Sequence, residues 1–100
     1  MTYGKTQAMV EAAARESQSQ EVIVFTTTRM IPEMRRRLEE AGVNSARLRV
    51  MTATFVSEKV SGFRGRCFVD HYARGLLSTG DWEAIELSEK WIDEPQSKLP

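Results

Sequence analysis

Residues 21–27, Glu21-Val22-Ile23-Val24-Phe25-Thr26-Thr27, decide how this chain folds. Val22, Ile23, Val24 and Phe25 are consecutive, so an extended backbone points apolar side chains to both sides of a sheet. A strand that is hydrophobic on both faces belongs in the middle of a sheet covered above and below, which is the usual setting of parallel strands. Nothing in the chain approaches the roughly 18 consecutive apolar residues that a helical membrane span requires.

Upstream, residues 5–18 read as a helix, with Ala8, Ala12, Ala13 and Ala14 as strong helix formers. Met9, Val10 and Ala13 form its apolar stripe, with Ala14 and Ser17 at the margin, and small side chains there let a helix lie close against a sheet. Ser17 to Gln20 is the turn into the strand. Downstream, residues 30–41 read as a second helix: Pro32 suits its first turn, Ile31, Met34, Leu38 and Ala41 share one face, and Gly42 is a natural residue just past its end. On its wet side, Arg36 and Glu40 have the spacing of a helical ion pair.

Further strands are expected at residues 47–52, where alternation suggests a position nearer an edge, and at 66–71, Arg66-Cys67-Phe68-Val69-Asp70-His71. Between them, residues 57–65 hold Gly62 and Gly65 among charges and read as a loop or a short helix plus turn. Ser78-Thr79-Gly80-Asp81 starts a last helix running from Trp82 to about Ile92, with Ala84, Ile85, Ser88, Trp91 and Ile92 as its apolar face and Pro95 as its stop. Trp82 and Trp91 are candidates for docking this helix onto the core. The expected architecture is a single α/β domain over residues 1–94 with a flexible tail at 95–100. Its sheet is small, mostly parallel and three-stranded, with helices flanking it.

One hundred residues suffice for one core. Lys and Arg number 14, as do Asp and Glu, so no overall field draws the chain to nucleic acid or to an anionic membrane. The charges are mildly segregated, with arginines at 35 to 37, 47, 49, 64, 66 and 74 and acids concentrated in the last quarter. Cys67 is the single cysteine, which excludes an internal disulfide, and with His71 it makes only two Cys/His ligands. The spacing Cys67, Asp70, His71 hints at most at a metal, whereas the apolar run around Cys67 points to a buried, inert thiol. Without a secretory leader or a membrane span, the expected setting is reducing and cytoplasmic.

Gly4-Lys5-Thr6 opens the first helix, and Phe68-Val69-Asp70-His71 closes the third strand. In order and spacing these resemble the P-loop NTPases, and more closely the first ATPase-like domain of helicases, over residues 4 to 73. The resemblance implies that Lys5 reaches the β and γ phosphates of ATP, that Thr6 holds Mg²⁺, and that Asp70 binds Mg²⁺ through water. Thr26-Thr27-Thr28-Arg29 is similar to the helicase proline-threonine-arginine segment that touches the nucleic-acid backbone, with Thr27 in the place of the proline. Thr52-Ala53-Thr54 is similar to a further helicase segment.

Two departures bear on function. The family motif has a glycine four residues before Gly4 and a leading apolar strand, whereas only Met1 to Tyr3 precede Gly4 here. His71 stands where helicases usually carry the glutamate that activates water. One departure removes backbone N–H groups that cradle phosphate, and the other changes the general base. The expectation is a reduced P-loop NTPase-like fold, of phage or mobile-element type, that acts without catalysis through a protein partner or self-association. Two alternatives stand beside it. One is residual nucleotide or phosphate binding through Gly4, Lys5, Thr6, Asp70 and His71. The other is binding of nucleic-acid backbone through Thr28, Arg29, Arg35, Arg36 and Arg37.

Overall fold

The computed structural model describes the backbone of residues 2–98 and the side chains of residues 4–89. Its order is α1 (Thr2–Glu16), β1 (Val22–Thr26), α2 (Ile31–Glu40), β2 (Leu48–Thr52), α3 (Val56–Lys59), β3 (Arg66–Val69) and α4 (Thr79–Lys98), with short 3₁₀ turns at Thr28–Met30, Ser45–Arg47 and His71–Leu76. The sheet has three strands in the order β2-β1-β3, and both pairings are parallel.

The central place of β1 follows from its side chains, all five of which are buried. Val22 and Val24 pack with Val10 and Ala13 of α1, Met34 and Leu38 of α2, and Val50. Ile23 and Phe25 point the other way, into a cluster with Val56, Val60, Cys67, Val69 and Ile85. The consecutive apolar run is thus read out by two layers, α1 with α2 on one face and α3 with α4 on the other. Burial of a side chain such as Ile23 or Phe25 contributes about 1.5–3 kcal/mol.

The ends of α2 follow from local chemistry. Pro32 lies in its first turn. Gly42 takes φ +86°, a left-handed value that suits glycine, and the Gly42 and Val43 N–H groups donate to the carbonyls of Glu39 and Leu38. Gly65 meets a different requirement, because a Cβ there would lie 2.4 Å from the Glu21 carbonyl oxygen, which accepts the Arg66 N–H. The start of β3 therefore needs glycine for close approach to the start of β1.

Most boundaries lie within two residues of the sequence reading, and three departures carry consequences. Helix α1 begins at Thr2, so Gly4 and Lys5 lie inside its first turn, and the Thr6 N–H falls beyond the four amides left free at a helix start. Strand β3 ends at Val69, because the Asp70 carbonyl accepts the Ala73 N–H and turns the chain into 3₁₀ geometry, which takes His71 out of the strand. Helix α4 passes through Pro95. A proline deletes one helical hydrogen bond while keeping a φ near −65°, which is a helical value. The tail expected at 95–100 therefore begins within α4, residues 99 and 100 lie outside the described residues, and so do the side chains of Trp91 and Ile92.

The ladder also fixes which backbone groups face outward. Arg66 and Asp70 donate their N–H groups to β1, at Glu21 and Phe25, so Cys67 and Val69 point theirs away from it. Strand β3 is an edge strand, and α1 and α4 flank it on opposite faces.

Candidate site at the carboxyl ends of the strands

Thr26 and Asp70 follow directly after registered neighbours, Phe25 opposite Val69, so they lie side by side where β1 and β3 finish. Both continue the face that packs on α1, since Val24 and Phe68, two residues earlier on each strand, belong to that layer. Thr6 extends the buried stripe of Val10 and Ala13 one helical turn toward the start of α1 and arrives over the same spot.

Asp70 is held there by two hydroxyls. Thr6 Oγ1 donates to Oδ1 over 3.2 Å, and Thr26 Oγ1 donates to Oδ2 over 3.1 Å. Asp70 and Thr26 are 0% exposed and Thr6 2% exposed. Burying a carboxylate is costly unless its oxygens are hydrogen-bonded, and each oxygen here has its own donor. No ion pair among the described residues involves Asp70. The cluster joins α1, β1 and β3 at one point.

The remaining predicted residues are arranged around this knot rather than in it. Gly4 and Lys5 are exposed, Lys5 beside the knot on α1. His71 is also exposed and packs edge-on against Tyr72, with ring centroids 5.6 Å apart. Thr28 and Arg29 are exposed on the turn after β1, where the Thr28 hydroxyl lies 3.2 Å from that of Thr52. Successive residues on a helix diverge by about 100°, and Arg35, Arg36 and Arg37 divide accordingly. Arg35 is exposed, Arg36 is clasped by Glu33 at 2.5 Å and Glu40 at 2.8 Å, and Arg37 donates to Gln7 of α1 at 2.7 Å. Those carboxylates raise the pKa of Arg36 further, first through the hydrogen bond that Arg36 donates to Glu33. Three adjacent arginines thus do not make one cationic patch.

The hint of a metal at Cys67, Asp70 and His71 also resolves. Cys67 packs in the α3 and α4 layer while Asp70 faces α1, on the opposite side of the sheet. Among the described residues no three His, Cys, Asp or Glu side chains are grouped to hold a metal ion. The Cys67 thiol is buried, with the Ser88 hydroxyl at 3.6 Å, and burial pushes its pKa up to about 11. For Mg²⁺ and nucleotide, Thr6 and Asp70 are oxygen ligands of the right kind. Their arrangement does not fit, because both Asp70 oxygens are engaged by threonines and the residue has no exposed surface.

Thr26 is the member of the cluster that sequence reading missed. The available signal was its parity with Val22 and Val24, which assigns it to the buried α1 face. Phe55 was missed as well. It adopts φ +51° and is 74% exposed, combining a disfavoured backbone with a solvated aromatic ring just after β2. Tyr72 and Leu76, both 58% exposed, occupy the corresponding turn after β3.

A groove of about 750 Å³ runs along the free edge of β3 between α1 and α4. Met9, Cys67, Val69, Trp82 and Ile85 line its interior, and Lys5 lies at its rim. Comparison with protein-family models, with curated proteins and with solved structures finds no match.

Proposed function

We propose that this chain is a non-enzymatic protein-interaction or regulatory module on a degenerate P-loop NTPase-like fold. The observation that carries the reading is the closed state of Asp70, whose two oxygens are spent on Thr6 and Thr26 with no surface left to a ligand. The acid that the resemblance makes a metal ligand serves here to join three elements of the fold. The position of Thr6 beyond the free amides of α1 and the exposure of His71, away from that acid, agree with it. Exposed Phe55, Tyr72 and Leu76 supply apolar contact surface at the same end of the sheet.

A second reading, nucleotide or phosphate binding with little or no hydrolysis, is favoured by Lys5, exposed in the first turn of α1 beside the end of β3. Calorimetric titration with ATP and Mg²⁺, with Lys5→Ala in parallel, separates the two. The module reading expects no saturable heat from either protein and no phosphate release above the blank. Binding with a dissociation constant below about 1 mM that Lys5→Ala removes would put the second reading first, and phosphate release above the blank would overturn the module reading outright.

A further inference from the structure

Strand β3 offers an unfinished hydrogen-bond ladder inside a covered groove. Its outward groups are the N–H and C=O of Cys67 and Val69, by the alternation that sends Arg66 and Asp70 to β1. The Cys67 N–H is taken by a side chain, Glu89 Oε2 at 3.0 Å, which occupies the place of a neighbouring strand's carbonyl. Edge strands that only need protection are kept short, charged or bulged. At four residues β3 is short in this way, yet its edge opens into the 750 Å³ groove, roofed by Met9 on one side and by Trp82 and Ile85 on the other. A strand placed there would be covered on both faces, as β1 is, and would suit apolar side chains at successive positions.

The charges give the occupant a direction. Thr6 bonds to Asp70, so the start of α1, with Lys5, lies where β3 ends, and Arg74 lies there too, stacked 4.7 Å above the Trp82 ring. Helix α4 runs back along β3, since Trp82 meets Arg74 at that end while Glu89 meets Cys67 and Arg66 at the other. Glu83, Glu86 and Glu89 step along the α4 wall of the groove away from Lys5 and Arg74, toward the end where Arg66 pairs with Glu89 at 3.3 Å. A segment with a basic amino end and an acidic carboxyl end is therefore matched when it runs parallel to β3.

We infer that the β3 edge is a docking site for a strand from a partner protein: an extended apolar segment, basic at its amino end and acidic at its carboxyl end, added parallel to β3. The Cys67 N–H exchanges Glu89 for a carbonyl of the segment, and the Val69 N–H gains an acceptor. This rests on the module reading, and the two fail separately. Phosphate release overturns the module reading whatever the groove binds, whereas a silent groove overturns the strand site and leaves the module reading in place.

The test is calorimetric titration with a synthetic peptide of sequence lysine-valine-threonine-valine-valine-aspartate, together with amide hydrogen exchange at Val69. Saturable binding is expected, with Val69 exchange slowed at least about tenfold, as for an amide gaining a ladder partner. Val69→Pro removes that donor and abolishes binding. Glu86→Lys changes an exposed groove residue without touching the core. It should weaken binding about fivefold, an effect of rim-charge size, and a peptide with aspartate first and lysine last should recover part of the loss. No heat up to about 1 mM peptide, the weak limit for a specific contact, would overturn the inference. So would binding indifferent to both substitutions, or self-association that Val69→Pro abolishes, which would make a second copy the occupant.

Discussion

Two aspartates do similar work in opposite surroundings. Asp70 accepts from Thr6 and Thr26 and ties α1 to the sheet with no contact to water. Asp81 accepts from the Ser57 N–H at 3.1 Å, the Ser57 hydroxyl at 2.7 Å and the Ser78 N–H at 3.0 Å, and ties α4 to α3 at the surface. The Ser78 hydroxyl accepts the Asp81 N–H in return, which makes a reciprocal cap at the start of α4. Asp81 has more donors than Asp70, yet water can replace every one of them. The difference teaches that burial, more than the number of hydrogen bonds, sets what a polar cluster is worth.

The contrast can be broken at its strong end first. Asp70→Ala orphans two buried hydroxyls and leaves a small cavity, with an expected loss of about 2–4 kcal/mol by chemical denaturation. Thr26→Val keeps the shape and removes one donor, leaving Oδ2 unsatisfied, and should cost about 1–3 kcal/mol in the same measurement. A loss from Asp70→Ala no larger than that from Asp81→Ala would end the comparison.

At the surface, Asp81→Ala should cost about 1 kcal/mol at pH 7, the usual value of a helix cap. The hydrogen bonds from Ser57, and then those from Ser78, hold the Asp81 pKa below its ordinary range. A lowered folded-state pKa means that the contribution is complete above the unfolded value near 4 and disappears as pH falls through the folded one. Stability curves of the two proteins should therefore converge on acidification, and a gap unchanged at pH 2 would show that the charge contributes nothing. Weakest of all is the half-exposed clasp of Arg36 by Glu33 and Glu40, where Arg36→Ala should leave the unfolding midpoint nearly unchanged at moderate salt.

The parts of the fold legible in sequence were those set by short-range pattern. Four consecutive apolar residues placed β1 at the centre, Pro32 and Gly42 bracketed α2, and Ser78 with Asp81 marked the start of α4. Asp70 was visible as an acid at the end of a strand. What stayed hidden needed register between strands distant in sequence. Thr26 meets Asp70 only because β3 lies beside β1 in parallel with Phe25 opposite Val69, and no local window contains both. The left-handed backbone of Phe55 had no signal either, since a phenylalanine gives none of the warning that glycine or asparagine would. For Arg35 to Arg37, adjacency in sequence suggested a patch that helical geometry disperses.

The lone thiol of Cys67 makes the seam between β3 and α4 a clock. With its pKa near 11 and its sulfur enclosed against Ser88, it stays protonated and unreactive at neutral pH while the seam is shut. Alkylation by iodoacetamide then proceeds only through moments when α4 lifts. Its rate, set against that of a free thiol, counts how often this seam opens in a folded population.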